Sequence, residues 1–137
     1  DEMNELLGTK FGYTNDEFIE ASKLLMEKFP TITKAFDKRR TSITSSWHKL
    51  RARMWNGQEF RETQDFDITH SVDRIGTGDA FAAGLIYGLQ HYDDYKSMEF
   101  ASAACALKHT YVGDVNYATT DEVTRILDGN TTGRFNR

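Results

Sequence analysis

Hydrophobic positions fall into three successive regimes along the chain. Between about 15 and 29 they recur at helical spacing, with Phe18, Ile19, Leu24, Leu25 and Phe29 forming one apolar stripe. Thr14 is placed to cap this helix, and Glu17, three residues on, completes a capping box. Pro30 blocks continuation, because the residue before a proline is pushed out of the α region. Residues 31–37 (TITKAFD) then predict a short strand.

From 43 to 70 the period changes to two. Leu50, Ala52 and Met54 fall on one face, and Arg51, Arg53 and Trp55 on the other. Asn56-Gly57 follows at once, a hairpin signal, with Phe60 on the return strand and Phe66-Asp67-Ile68 on a further one. Beyond residue 76 the pattern is helical. Residues 78–91 are apolar on nearly all sides and predict a buried helix. A second helix over about 96–109 carries Met98, Phe100, Ala101, Ala104, Cys105 and Leu107. A third over about 120–128 starts at Thr119, with Glu122 completing another capping box.

Strands followed by packed helices imply an α/β layered fold. The 137 residues suit one domain, 1–137, and the polar segment 129–137 is expected to form a flexible tail. Hydrophobic residues make up 39% of the chain, enough for a core. Net charge is -4, which argues against nucleic acid or an anionic membrane as the main partner. The lone cysteine, Cys105, excludes an internal disulfide and a cysteine-based zinc site. No apolar run reaches the ~18 residues of a membrane span. The chain is expected to be soluble and cytoplasmic.

The segment most informative about chemistry is 73–84, DRIGTGDAFAAG. Gly76 and Gly78 bracket Thr77 just before an apolar helix. Such glycines let backbone N–H groups face outward, and a helix start leaves its first N–H groups unpaired. Together they can cradle an anion such as phosphate. Asp79 follows in the first turn. A carboxylate there could simply favour the helix start. Beside an anion nest it could instead take a proton from a nucleophile attacking that anion. The pattern GxxxxGK[ST] is absent, which excludes a P-loop, and Phe81 breaks the GxGxxG dinucleotide pattern.

The Gly-Thr-Gly-Asp run, with Phe81 and Gly84 beyond it, resembles the second signature of the ribokinase-like (PfkB) sugar kinases. The wider segments 70–89 (HSVDRIGTGDAFAAGLIYGL), 101–114 (ASAACALKHTYVGD) and 41–60 (TSITSSWHKLRARMWNGQEF) are similar to the 2-keto-3-deoxygluconate kinases of that family. The resemblance covers about 40–128 and implies the C-terminal, nucleotide-binding and catalytic half of a three-layer αβα fold. It implies that Asp79 is the base that deprotonates a sugar hydroxyl. The backbone of Gly76, Thr77, Gly78 and Asp79 would then be the anion hole for the γ-phosphoryl group of ATP. Ser102 falls at an adenine-pocket position, and Asp73, with the Ile75 carbonyl nearby, where many members bind a monovalent cation such as K+. Mg2+ would arrive with ATP, and the fragment alone would be inactive. Half of a parallel sheet would expose an edge and an apolar face. The missing N-terminal half or a second copy of the chain is the partner expected to cover them.

Other features are expected to be structural. Seven basic residues lie between 34 and 53 against one acid, Asp37, with Trp47 and Trp55 interleaved. A nucleic-acid groove would need such a mixture, but a solvated strand face has it too. The four histidines (His48, His70, His91 and His109) match no metal-ligand spacing. Arg74 could assist a phosphate or lie idle on the surface. The competing functions are a kinase for another sugar, such as fructose or ribose, and a non-catalytic interaction fragment.

Overall fold

The structure is a computed structural model that describes residues 2–129 and the two-residue strand Arg134–Phe135. Most of the tail expected over 129–137 lies outside the described residues. The chain packs as two compact units, one of residues 1–37 with 54–61 and one of 38–53 with 62–137.

The first unit carries helices α1 (Glu2–Leu7) and α2 (Asn15–Lys28). No capping or periodic signal announced α1. It is followed by a side-chain staple, in which Asn4 Oδ1 accepts from Thr9 Oγ1 and the Phe11 amide, each at 2.9 Å. Helix α2 begins as its sequence predicts. Thr14 Oγ1 accepts from the Glu17 amide at 3.2 Å and donates to Glu17 Oε1 at 2.9 Å. The Glu17 carboxylate also accepts from the Gly12 amide, which, with Thr14, holds its carboxyl below the usual range. The stripe divides: Phe18 and Leu25 are buried, while Leu24 and Phe29 are exposed. Ala21 and Ser22 take the remaining buried places on α2. Phe18 meets Phe60 edge to face at 6.2 Å between centroids, and Lys23 Nζ lies 5.4 Å over the Trp55 ring.

The strands are β1 (Ala35–Ser42), β2 (His48–Trp55), β3 (Phe60–Glu62), β4 (Phe66–Ile68) and β5 (Arg134–Phe135). The sheet runs in the order β1-β2-β4-β5, with β3 also paired to β2. The strand predicted over 31–37 is displaced toward the C-terminus and runs through Lys38, Arg39 and Arg40. Pairing to β2 supplies what composition did not announce. The β1–β2 turn closes on the Trp47 carbonyl, which accepts from Ile43 and Thr44. The alternation in β2 is as predicted on its apolar face: Leu50, Ala52 and Met54 are buried. Its other face is corrected by Arg53, which is only 2% exposed. Pairing of β2 with β4 is antiparallel, Leu50 opposite Phe66, and β4 runs parallel to β5. The expectation of half a parallel sheet is corrected accordingly.

Helices α3 (Thr77–His91), α4 (Asp94–Lys108) and α5 (Thr120–Gly129) belong to the second unit, α3 packing on α4, α4 on α5, and α4 on β4. Helix α4 is the buried centre: Ser97, Met98 and every residue from Phe100 to Lys108 are inaccessible. Its start lies two residues before the expected one because Asp93 caps it, accepting from the Lys96 amide at 2.8 Å. Helix α5 begins with a reciprocal capping box, Glu122 amide to Thr119 Oγ1 at 3.2 Å and Thr119 amide to Glu122 Oε2 at 2.9 Å.

Helix α3 departs from the buried helix its composition predicts. Thr77, Ala80, Phe81, Gly84 and Gly88 are buried, but Ala82, Ala83, Ile86 and Leu89 face outward, Ile86 at 62% exposure. The buried face is built from small residues, so α3 and α4 approach closely. A β-carbon at Gly88 would stand 2.9 Å from the Ser97 Cα, and one at Gly84 would stand 3.0 Å from the Ala101 Cα. Beyond this contact, Tyr87 stacks on His91 at 4.1 Å and on Phe100 at 5.1 Å. Among the described residues no helix is long and apolar enough to cross a membrane.

Candidate active site

The Gly-Thr-Gly-Asp run forms the turn into α3. Gly76 is the N-cap and adopts φ 75°, a left-handed conformation that favours glycine. It has no side chain to cap the helix, so the Gly78 and Asp79 amides, which precede the first i to i-4 bond, receive no cap from it. The first such bond is from the Ala80 amide to the Gly76 carbonyl at 2.9 Å. Thr77 is turned inward: its hydroxyl donates to the Arg74 carbonyl at 2.9 Å, and its amide reaches the same oxygen at 3.3 Å. Of the four amides expected to form an anion hole, that of Thr77 is thus already engaged. Asp79 is exposed in the first turn, where a carboxylate is favoured by the helix dipole. A ligand anion at the Gly78 and Asp79 amides would meet an accessible carboxylate at once.

A second loop, 109–114, carries the first. The His109 carbonyl accepts from the Val72 amide at 2.8 Å and the Asp73 amide at 3.2 Å. Asp73 returns the contact with its side chain: Oδ2 accepts from the Gly113 amide at 2.9 Å and Oδ1 from the Ile75 amide at 3.1 Å. These bonds, first that from Gly113, hold the Asp73 carboxyl below its usual range. Gly113 is itself left-handed, at φ 86°. Asp114 then packs against Gly76, its carbonyl oxygen 2.6 Å from where a β-carbon would stand. Lys108, fully buried at the end of α4, donates to the Gly113 carbonyl at 2.6 Å.

The other expected site residues are dispersed. Ser102 lies in the middle of α4, inaccessible, with its Oγ lacking a partner among the described residues. Arg74 is exposed and takes part in the turn through its carbonyl. The basic stretch is not one solvated face: Arg51 pairs with Asp65 at 2.8 Å and Glu62 at 3.4 Å, and Arg53 is buried. His109 is buried, its Nδ1 2.7 Å from the Cys105 carbonyl, and burial pushes its pKa down to about 4. His48, whose ring lies 6.1 Å from it, is also lowered, first by burial and then by Arg40. Burial pushes the Cys105 thiol up to about 11. Sequence reasoning passed over Lys108, Gly113 and Asp114. The Gly-Asp pair just past a helix was the available signal for the last two, and nothing local marks a lysine as buried.

The mixed sheet, the helices and this turn make up an architecture shared with solved carbohydrate kinases. Residues 52–121, just over half of the 137, match the pfkB family carbohydrate kinases, and the chain belongs to that family. Over 66 residues it is 39% identical to the 2-dehydro-3-deoxygalactonokinase of Haloferax volcanii, a stretch that is 47% of this chain and 21% of that protein. The crystal structure of 2-dehydro-3-deoxygluconokinase from Thermotoga maritima matches with a TM-score of 0.81 at 27% identity, over 93% of this chain and 40% of that one. A PfkB family carbohydrate kinase from Listeria grayi matches with a TM-score of 0.77 at 27% identity, over 93% of this chain and 39% of that one. The chain thus spans about two fifths of the solved relatives' length. The ribokinase-like fold expected from the sequence is the fold observed.

Proposed function

We propose that these residues form the nucleotide-binding and catalytic part of a kinase that moves the γ-phosphoryl group of ATP to a hydroxyl of a sugar acid. The observation that carries this is Asp79, an accessible carboxylate in the first turn of a helix whose N-cap is a left-handed glycine. An alcohol is a poor nucleophile, and a carboxylate within reach orients it and accepts its proton. The Gly76, Gly78 and Asp79 amides meet the charge that builds on the transferring phosphoryl group. Thr77 adds its amide only if the long bond to Arg74 yields; its buried hydroxyl holds the turn. Mg2+ carried by the ATP phosphates would neutralise part of their charge. Ser102 is inaccessible, so any part it plays at the adenine end would be through packing.

Two of the three relatives, those from Haloferax volcanii and Thermotoga maritima, act, by their names, on 2-dehydro-3-deoxy sugar acids, which supports 2-keto-3-deoxygluconate or its galactonate counterpart as the acceptor class. The outward apolar face of α3, with Ile86 and Leu89, is proposed as the surface covered by further kinase residues or by a second copy. A cytoplasmic location goes with ATP as donor. Calorimetric titration of MgATP into the chain tests the nucleotide assignment. Saturable binding is expected; a folded chain that takes up no MgATP would remove the assignment from these residues.

A further inference from the structure

A buried ammonium group is costly unless its donors are matched, and Lys108 is fully buried. Its Nζ donates to the Gly113 carbonyl at 2.6 Å and lies 3.5 Å from that of Tyr111. Both oxygens belong to the loop whose Gly113 amide is held by Asp73 Oδ2. Gly113 is therefore clamped through both of its flanking peptide groups, the oxygen of the one after it by a cation and the N–H of the one before it by an anion. The anion then continues through the Ile75 amide to Gly76 and the start of α3. Asp73 is the residue at which the family resemblance calls for a monovalent cation, and the ammonium reaches it through Gly113. The residues present do not suit a free one: each Asp73 oxygen already accepts a backbone N–H, and the neighbouring Gly113 carbonyl is turned onto an ammonium. A potassium ion there would meet a like charge on the same oxygen.

We propose that Lys108 is a built-in monovalent cation, whose ammonium takes the part a potassium ion would play beside Asp73 and holds the loop under the α3 N-terminus without one. Ammonium and potassium are alike in charge and close in size, and carbonyl oxygens satisfy both. The difference is tethering: a lysine rooted in α4 cannot be diluted away. The inference rests on the kinase reading for the importance of this loop. Its test is thermal unfolding, which fails or succeeds whether or not the chain binds MgATP.

Melting of the chain in potassium chloride is compared with melting in tetramethylammonium chloride at equal ionic strength. The unaltered chain is expected to melt at the same temperature in both and to bind no thallium(I), a potassium mimic, by thallium NMR. Lys108→Ala is expected to melt roughly 10 °C lower in tetramethylammonium. It should recover part of that loss, saturably, in potassium or methylammonium chloride. A saturable rise for the unaltered chain in potassium, or a bound thallium signal, would overturn the proposal. So would a folded Lys108→Ala that responds identically to all the salts. If Lys108→Ala does not fold, the thallium titration of the unaltered chain decides alone.

Discussion

Gly76 and Asp114 lie so close that a β-carbon at position 76 would stand 2.6 Å from the Asp114 carbonyl oxygen and 2.8 Å from its Oδ1. The glycine is left-handed as well. Gly76→Ala therefore meets a backbone clash and an unfavourable φ together, and should lower stability by roughly 1–3 kcal/mol. Gly78, two residues on, has open space where its β-carbon would go. Gly78→Ala should leave the urea midpoint close to that of the parent while weakening MgATP binding. Equal destabilisation by the two alanines would show that the turn is not built as described.

Gly88 gives an alanine substitution of unexpected sign. In an ordinary helix interior, replacing glycine by alanine stabilises by about 1 kcal/mol. Here the new methyl group would stand 2.9 Å from the Ser97 Cα, which belongs to backbone and cannot swing aside. Overpacking of this kind costs about 1–3 kcal/mol, so Gly88→Ala should be net destabilising. Chemical denaturation measures it directly.

Asp79 is exposed in the first turn of α3, so Asp79→Asn should lose only its favourable place at the helix dipole, roughly 0.3–1 kcal/mol, and leave the chain folded and able to bind MgATP. In a polypeptide of the solved relatives' length carrying these residues, the rate of phosphoryl transfer to the sugar acid should fall roughly 10²–10⁴-fold. Unchanged turnover would remove Asp79 from the chemistry.

His109 sets an acid limit. Its pKa is about 4 in the folded chain against 6.5 for a free imidazole, so below pH 6.5 the unfolded chain binds the extra proton. Stability should be complete above pH 6.5 and be lost progressively as pH falls toward 4, by on the order of 2–3 kcal/mol. His48 is lowered too and acts in the same direction. Asp73, whose carboxyl is lowered, acts in a separate window: its contribution holds above about pH 3.8 and is lost below. His109→Asn keeps a donor near Nδ1 and removes the titration. Its unfolding free energy should be flatter between pH 6.5 and 4, and an unchanged slope would assign the acid loss elsewhere.

Much of the local structure was legible because local chemistry decides it. Thr14 with Glu17, and Thr119 with Glu122, close hydrogen bonds within one helical turn. The alternation of Leu50, Ala52 and Met54 needs only the period of a strand, and the positive φ of Gly76 needs only the steric freedom of glycine.

What the sequence by itself determined is most of the elements, α1 and β5 being the exceptions, that they build a ribokinase-like α/β unit, and which residues could carry phosphoryl chemistry. Tertiary structure alone decided which side of α3 faces α4, because hydrophobicity all around a helix does not choose a face and the fit of Gly84 and Gly88 against Ala101 and Ser97 does. It alone decided that Arg53 and Lys108 are buried, since charge alone places both residues at the surface. It also brought Asp73 to the Gly113 amide, forty residues away in sequence. A bond between such distant residues needs α3 and α4, which lie between them in the chain, to be packed, so no local pattern could encode it.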